Sequence, residues 1–122
     1  MNQIEIILGP TNTGKTFYAF EQMFSFKNGV FGFPLRLLAR ENYDKACKLY
    51  PINQIALITG EEKIIPSEAK YFFCTVESMP DDFFEFVCVD EIQLASDYER
   101  GHIFTQRLLY SRGEQKTIFL GS

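Results

Sequence analysis

Ile4-Glu-Ile-Ile-Leu8 runs directly into Gly9-Pro10-Thr11-Asn12-Thr13-Gly14-Lys15-Thr16. The opening run is β-branched and apolar, as a buried strand is. The stretch after it matches G-x-x-x-x-G-K-[ST] in full. Each residue type in it answers a chemical need. Gly9 and Gly14 let the main chain turn its N–H groups inward around phosphate oxygens, where a Cβ would obstruct. Pro10, Thr11, Asn12 and Thr13 make the body of that cradle, and a helix opening near Gly14 adds the positive end of its dipole. Lys15 is placed to reach the β- and γ-phosphates of a nucleotide, and the Thr16 hydroxyl to ligate Mg²⁺. The competing reading is a glycine-rich turn with a helix cap. A strand before the motif and a helix after it favour the phosphate loop.

Outward from this loop, short apolar runs alternate with helical patterns. Thr16–Phe26 has helical potential, and Gly29–Phe33 is a strand closed by Pro34. From Leu35 to Leu49 the apolar positions Leu35, Leu38, Ala39, Ala46 and Leu49 fall at helical spacing, with Pro34 suited to the first turn. Ile55–Thr59, Tyr71–Thr75, Phe86–Asp90 and Thr117–Leu120 read as further strands. Arg100–Ser111 reads as a helix with Phe104 and Leu108 one turn apart. Pro51–Gln54, Gly60–Glu68 and Met79–Asp82 are the expected loops. The strand runs are apolar throughout, the mark of strands covered on both faces. Strand–helix alternation of this kind predicts an α/β sandwich on a mainly parallel sheet. The sequence stops at Gly121-Ser122, directly after a strand, which fits a piece of something longer.

A phosphate loop needs a carboxylate at the end of another strand. Phe86-Val-Cys-Val-Asp90-Glu91 supplies one, with Asp90 on the metal side and Glu91 placed to polarise an attacking water or hydroxyl. An acid pair that merely caps a helix is the alternative.

Composition bounds the rest. At 122 residues the chain is one domain, and 46% hydrophobic content is too high for a disordered one. A net charge of −4 excludes a generally basic nucleic-acid coat and leaves room for a local basic strip. No stretch reaches the roughly 18 consecutive apolar residues of a membrane span. The N-terminus carries an acid and no basic n-region, so it does not read as a secretory signal. Cys47, Cys74 and Cys88 form no C-x-x-C pair, which argues against a disulfide framework or zinc ribbon and for a reducing, cytoplasmic-type compartment. His102 has no ligand companions and reads as a surface or capping residue. Phe72-Phe73 reads as core, whereas Phe83-Phe84 beside a loop can be core or a stacking surface.

The ordered set GPTNTGKT, PLRLLARE (34–41), TGEE (59–62), TVE (75–77), DEIQ (90–93) and RG (100–101) resembles the Suv-three-like branch of superfamily-two ATP-dependent RNA helicases over essentially the whole chain. The resemblance implies a three-layer, RecA-like P-loop NTPase fold spanning residues 1–122, the first of two such domains in a helicase motor. It implies ATP and Mg²⁺ as cofactors, and Lys15, Asp90, Glu91 and Gln93 as catalytic residues. It also implies single-stranded RNA or DNA as partner, contacted near Pro34, Arg36, Thr59, Gly60 and Thr75. The second RecA-like domain and its arginine finger are not in this sequence. The implied compartment is a bacterial cytosol, or the mitochondrial matrix if the source is eukaryotic.

Read from the residues alone, Arg36 and Arg40 fall on one helical face, where like charges repel by a few tenths of a kcal/mol. A phosphate would relieve that, and so would a solvated ladder through Asp44 and Lys48. Thr59 and Thr75 each follow a strand and can donate to backbone phosphates, or simply cap a turn. A type-two thymidine kinase, which also joins such a loop to D-E-x-Q, is the second functional reading; a non-catalytic nucleotide-binding fragment is the third.

Overall fold

A computed structural model describes residues 3–10, 14–91 and 112–121. Their strands form one sheet in the order β1-β7-β6-β2-β5-β3-β4. These are β1 (Gln3–Leu8), β2 (Gly29–Phe33), β3 (Ile55–Ile58), β4 (Lys63–Ile64), β5 (Tyr71–Thr75), β6 (Phe86–Val89) and β7 (Lys116–Gly121). Every pairing is parallel except β3 with β4. The expected mainly parallel α/β sheet is therefore the fold. The antiparallel β4 falls inside the stretch 60–68 that sequence assigned to a loop. The expected helix over 100–111, with His102, lies outside the described residues.

Two helices, α1 (Lys15–Met23) and α2 (Arg36–Leu49), pack on one face of the sheet. The period of two in β2 decides what they cover. Phe31 and Phe33 point toward the helices and stack with ring centroids 4.3 Å apart. Phe20 of α1, Phe73 of β5 and Phe86 of β6 complete a fully buried aromatic layer with them. Val30, Cys74, Val87, Val89 and Phe119 point to the opposite face, where Val76, Met79 and Phe84 join them. A Cβ on Gly32 would meet the Met79 sulfur at 2.5 Å, so that face is packed against the backbone of the central strand. Phe73 and Phe84 are core, as is most of Phe72, while Phe83 is 83% exposed. Cys74 and Cys88 are buried, and burial pushes the Cys88 thiol well up, so it behaves as a small hydrophobe.

Three details differ from the sequence reading, each for a physical reason. β1 is not covered on both faces: it lies at the sheet edge, and Ile4, Ile6 and Leu8 are exposed while Ile7 packs into the helix-side core. Leu35 and Leu49 of the predicted helical stripe are exposed, because α2 buries Ala39, Asn42, Tyr43 and Ala46 instead. Small Ala39 and Ala46 let α2 approach β3 and β5 closely. Pro34 precedes the helix rather than opening its first turn, and Leu35, extended, occupies the cap position.

Candidate active site

In a parallel sheet all carboxyl ends of the strands lie at one edge, and the helices that follow them start there. β1 is followed by Gly9, whose N–H donates to the Gly121 carbonyl at 3.1 Å. That donor extends the β1–β7 ladder, so Gly9 marks the end of the strand and does not turn its N–H toward a phosphate. Gly14 does the turning. Its φ of 83° is left-handed, which a Cβ would penalise, and it caps α1 without any side-chain bond. Glycine brings no side chain of its own to the first-turn N–H groups of α1, and the positive end of that helix suits an anion. Lys15 Nζ donates to the Pro10 carbonyl at 3.2 Å, keeping the ammonium folded over its own loop. Thr11, Asn12 and Thr13 lie outside the described residues.

β6 delivers the acids. The Asp90 N–H donates to the Gly32 carbonyl at 2.9 Å, which carries the β6–β2 ladder one residue past the strand and fixes the Asp90 backbone. Its side chain is nearly buried. Burial pushes the Asp90 carboxyl up to about 6, and the neighbouring Glu91 charge adds to the rise; the Glu91 N–H bond and Lys15 oppose it. That N–H bond, Glu91 N to Asp90 Oδ1, is 2.9 Å. Glu91 itself has φ 58°, a left-handed conformation uncommon for a residue with a side chain. Gln93 lies outside the described residues.

One cavity of about 430 Å³ brings these groups together: Gly14, Lys15, Thr16 and Phe17 on one side, Asp90 and Glu91 on another. Its remaining wall is Leu38, Glu41, Asn42 and Lys45 of α2, which sequence reasoning had not placed there. The signal was available, since these positions form one helical stripe. A larger hollow of about 500 Å³, between Lys27, Lys70 and Phe83, sits at the amino ends of the strands, away from the phosphate loop. Among the described residues no group of His, Cys, Asp and Glu could cage a metal alone. Thr16 and Asp90 instead offer a hydroxyl and a carboxylate, oxygen donors of the kind that hold Mg²⁺ together with water and phosphate. A nearly buried carboxylate drawn toward protonation also gains from a cation beside it.

The proposed strand contacts sit along the same edge, past the ends of β2, β5 and β3, which are neighbours in that order. The individual side chains differ in what they have free. Pro34 is buried. Thr59 is 2% exposed, and its oxygen accepts the N–H groups of Glu61 and Glu62. Thr75 is also buried and its hydroxyl bonds to Ser78 at 3.0 Å. Gly60 is exposed, with nothing within 4 Å of where a Cβ would stand. Arg36 is exposed and paired with Glu61 at 2.8 Å. The turn-capping alternative thus describes both threonines, which leaves Gly60 and Arg36 as the accessible members of the set.

Comparison with known proteins agrees with this architecture. The sequence profile of the DEXQ-box helicase domain of Suv3 matches residues 2–120. The chain is 41% identical over 110 residues to the mitochondrial DExH-box ATP-dependent RNA helicase DExH18 of Arabidopsis thaliana, covering 88% of this chain and 14% of that protein. It is 42% identical over 110 residues to the mitochondrial ATP-dependent RNA helicase SUV3 of Saccharomyces cerevisiae, covering 84% of this chain and 14% of the relative. The chain thus spans about one-seventh of the length of these relatives. Among solved structures, the arterivirus nonstructural protein 10 helicase, in complex with DNA, superposes with a TM-score of 0.67 at 15% identity, over 97% of this chain and 28% of that one. The Hef helicase domain of Pyrococcus furiosus gives 0.66 at 18% identity, over 98% of this chain and 29% of that one.

Proposed function

Because this chain belongs to the family of the Suv3 DEXQ-box helicase domain, we propose that it is the first, ATP-binding RecA-like domain of a two-domain motor that moves along single-stranded RNA or DNA. The observation that carries the reading is the single cavity shared by Lys15, Thr16, Asp90 and Glu91 in a chain of this family. ATP binds with its phosphates over the amino end of α1. Lys15 leaves the Pro10 carbonyl and donates to the β- and γ-phosphates, whose oxygens are stronger acceptors. Thr16 and Asp90 would hold Mg²⁺, and the ion would supply neutralisation of the charge that develops on the phosphates. Glu91, which lines the same cavity, orients and deprotonates the attacking water. Gln93 of the D-E-I-Q motif is a further catalytic residue on this reading. The arginine finger comes from the second domain, so rapid hydrolysis and strand movement belong to the two domains together.

A strand runs past Gly60 and Arg36 along the carboxyl edge, read through its phosphates. Pro34, Thr59 and Thr75 shape that edge from beneath. The relatives are named as mitochondrial proteins. For this chain we propose a reducing aqueous compartment, the matrix in a eukaryote or the cytosol in a bacterium. Among the described residues no helix is long and apolar enough to cross a membrane.

The test is ATP turnover by the protein with and without single-stranded RNA, and with thymidine as a control acceptor. RNA stimulation supports the motor, and thymidine phosphorylation would replace it with the kinase reading. Glu91→Gln is expected to keep ATP affinity within about threefold while turnover falls by roughly 100-fold, in the range of a lost general base. Lost binding with unchanged residual turnover would remove Glu91 from that role.

A further inference from the structure

Arg36 already has an anionic partner. Its Nη1 donates to Glu61 Oε2 at 2.8 Å, with both side chains substantially exposed. Arg40, one helical turn on, is held differently. Its Nη1 donates to Glu62 Oε2 at 2.7 Å, its Nε lies 3.2 Å from Asp44 Oδ1, and its guanidinium sits 5.7 Å from the centre of the Tyr43 ring. The two glutamates are presented by one braced turn. The Thr59 oxygen accepts the N–H of Glu61 at 3.2 Å and of Glu62 at 2.9 Å, while the Thr59 N–H donates to the Glu62 carbonyl at 2.8 Å. TGEE therefore aims two carboxylates at two guanidiniums on α2, one singly held and exchangeable, the other anchored on several sides.

We propose that Glu61 is a built-in stand-in for phosphate: it occupies Arg36 until a nucleic-acid phosphate displaces it, and so sets the affinity and salt response of strand binding. Arg40–Glu62 is the permanent clamp that keeps the turn in place. The inference rests on the strand path described above. Carboxylate and phosphate present the same kind of anionic oxygen to a guanidinium fork, and the Nη1 held by Glu61 cannot serve both fully. An exposed single ion pair is weak enough to exchange. Salt loosens the Arg36–Glu61 pair as well as the Arg36–phosphate contact, so the pair dampens the loss of binding as salt rises. Glu61 acts through Arg36 and is a positioning residue, not a catalytic one.

The experiment measures binding of a fluorescent single-stranded oligouridylate to the whole protein from low to physiological salt. Wild type is compared with Glu61→Gln, Glu62→Gln, Arg36→Ala and the Glu61→Gln/Arg36→Ala double variant. Glu61→Gln is expected to bind about two- to fivefold tighter, on the scale of an exposed pair, with a steeper salt dependence. The gain should vanish in the Arg36→Ala background, and Glu62→Gln, whose amide oxygen still accepts from Arg40 and so holds the turn, should show none. Unchanged or weaker binding by Glu61→Gln overturns the proposal. A gain that persists without Arg36 also overturns it, since that is general charge repulsion. If Arg36→Ala loses affinity while Glu61→Gln gains none, only the stand-in role fails. If Arg36→Ala binds like wild type, or no variant binds RNA, the strand path itself is wrong and the stand-in falls with it.

Discussion

Asp90→Asn is expected to make the nucleotide-free protein more stable at neutral pH while removing the residue proposed to hold Mg²⁺. The Asp90 carboxyl is pushed from an ordinary 3.8 to about 6 by burial and by Glu91. A folded-state pKa above the unfolded one means that the folded protein binds more protons between these values. Stability contributed by protonated Asp90 is therefore fully present below pH ~4 and is lost as pH rises through about 6. At about 1.4 kcal/mol per pH unit of displacement, the charged form costs up to roughly 3 kcal/mol at pH 7.5, an upper bound. Asn keeps an oxygen for the Glu91 N–H and carries no charge, so about 1–3 kcal/mol should be recovered. Urea unfolding of both proteins from pH 4 to 8, without nucleotide or Mg²⁺, measures the difference directly. The variant should be more stable at pH 7.5 and the gap should close toward pH 4. A variant less stable than wild type at pH 7.5, or a gap independent of pH, would refute the idea that burial of this charge is a standing cost kept for metal binding.

Lys15→Ala should weaken ATP binding by about 10- to 100-fold, the range for a charge-assisted hydrogen bond, with little effect on melting of the nucleotide-free protein; titration calorimetry checks the first half and scanning calorimetry the second. Gly113 lies where a Cβ would collide with the Lys116 carbonyl and crowd the backbone of Glu85 and Val87, and its N–H donates to buried Thr117 at 2.8 Å. Gly113→Ala should therefore destabilise by about 1–3 kcal/mol or more, since backbone atoms cannot step aside as side chains do. Chemical denaturation showing wild-type stability would mean the turn before β7 is looser than its contacts indicate.

Much of this architecture is legible in the residue order because its strands are written in a restricted alphabet. Gly29–Phe33 and Tyr71–Thr75 are bounded as the apolar runs predict, since glycine, proline or a polar turn stops each one. The phosphate loop is legible for a stronger reason: backbone that must wrap an anion tolerates few side chains, and Gly14 shows the left-handed geometry this demands. What stays hidden depends on partners distant in sequence. A two-residue antiparallel strand such as Lys63–Ile64 leaves no periodic signal. Ile4, Ile6 and Leu8 look the same in sequence whether a strand is central or at an edge, because apolarity does not say what stands opposite. Thr59 and Thr75 read as donors when isolated, but their hydroxyls are engaged within the turns they start. Glu61 meets Arg36 across 25 positions, a pairing set by the β3–β4 turn and α2 lying side by side.

Thr16, in the first turn of α1, and Asp90, just past the end of β6, are proposed to grip one Mg²⁺ against one triphosphate. Affinity for a non-hydrolysable ATP analogue, measured with and without Mg²⁺ in wild type, Thr16→Ala, Asp90→Asn and the double variant, tests this most directly. The Mg²⁺-dependent gain should fall in each single variant and fall little further when both changes are combined. Asp90→Asn retaining the whole gain, or the two losses adding in full, would contradict a shared metal site.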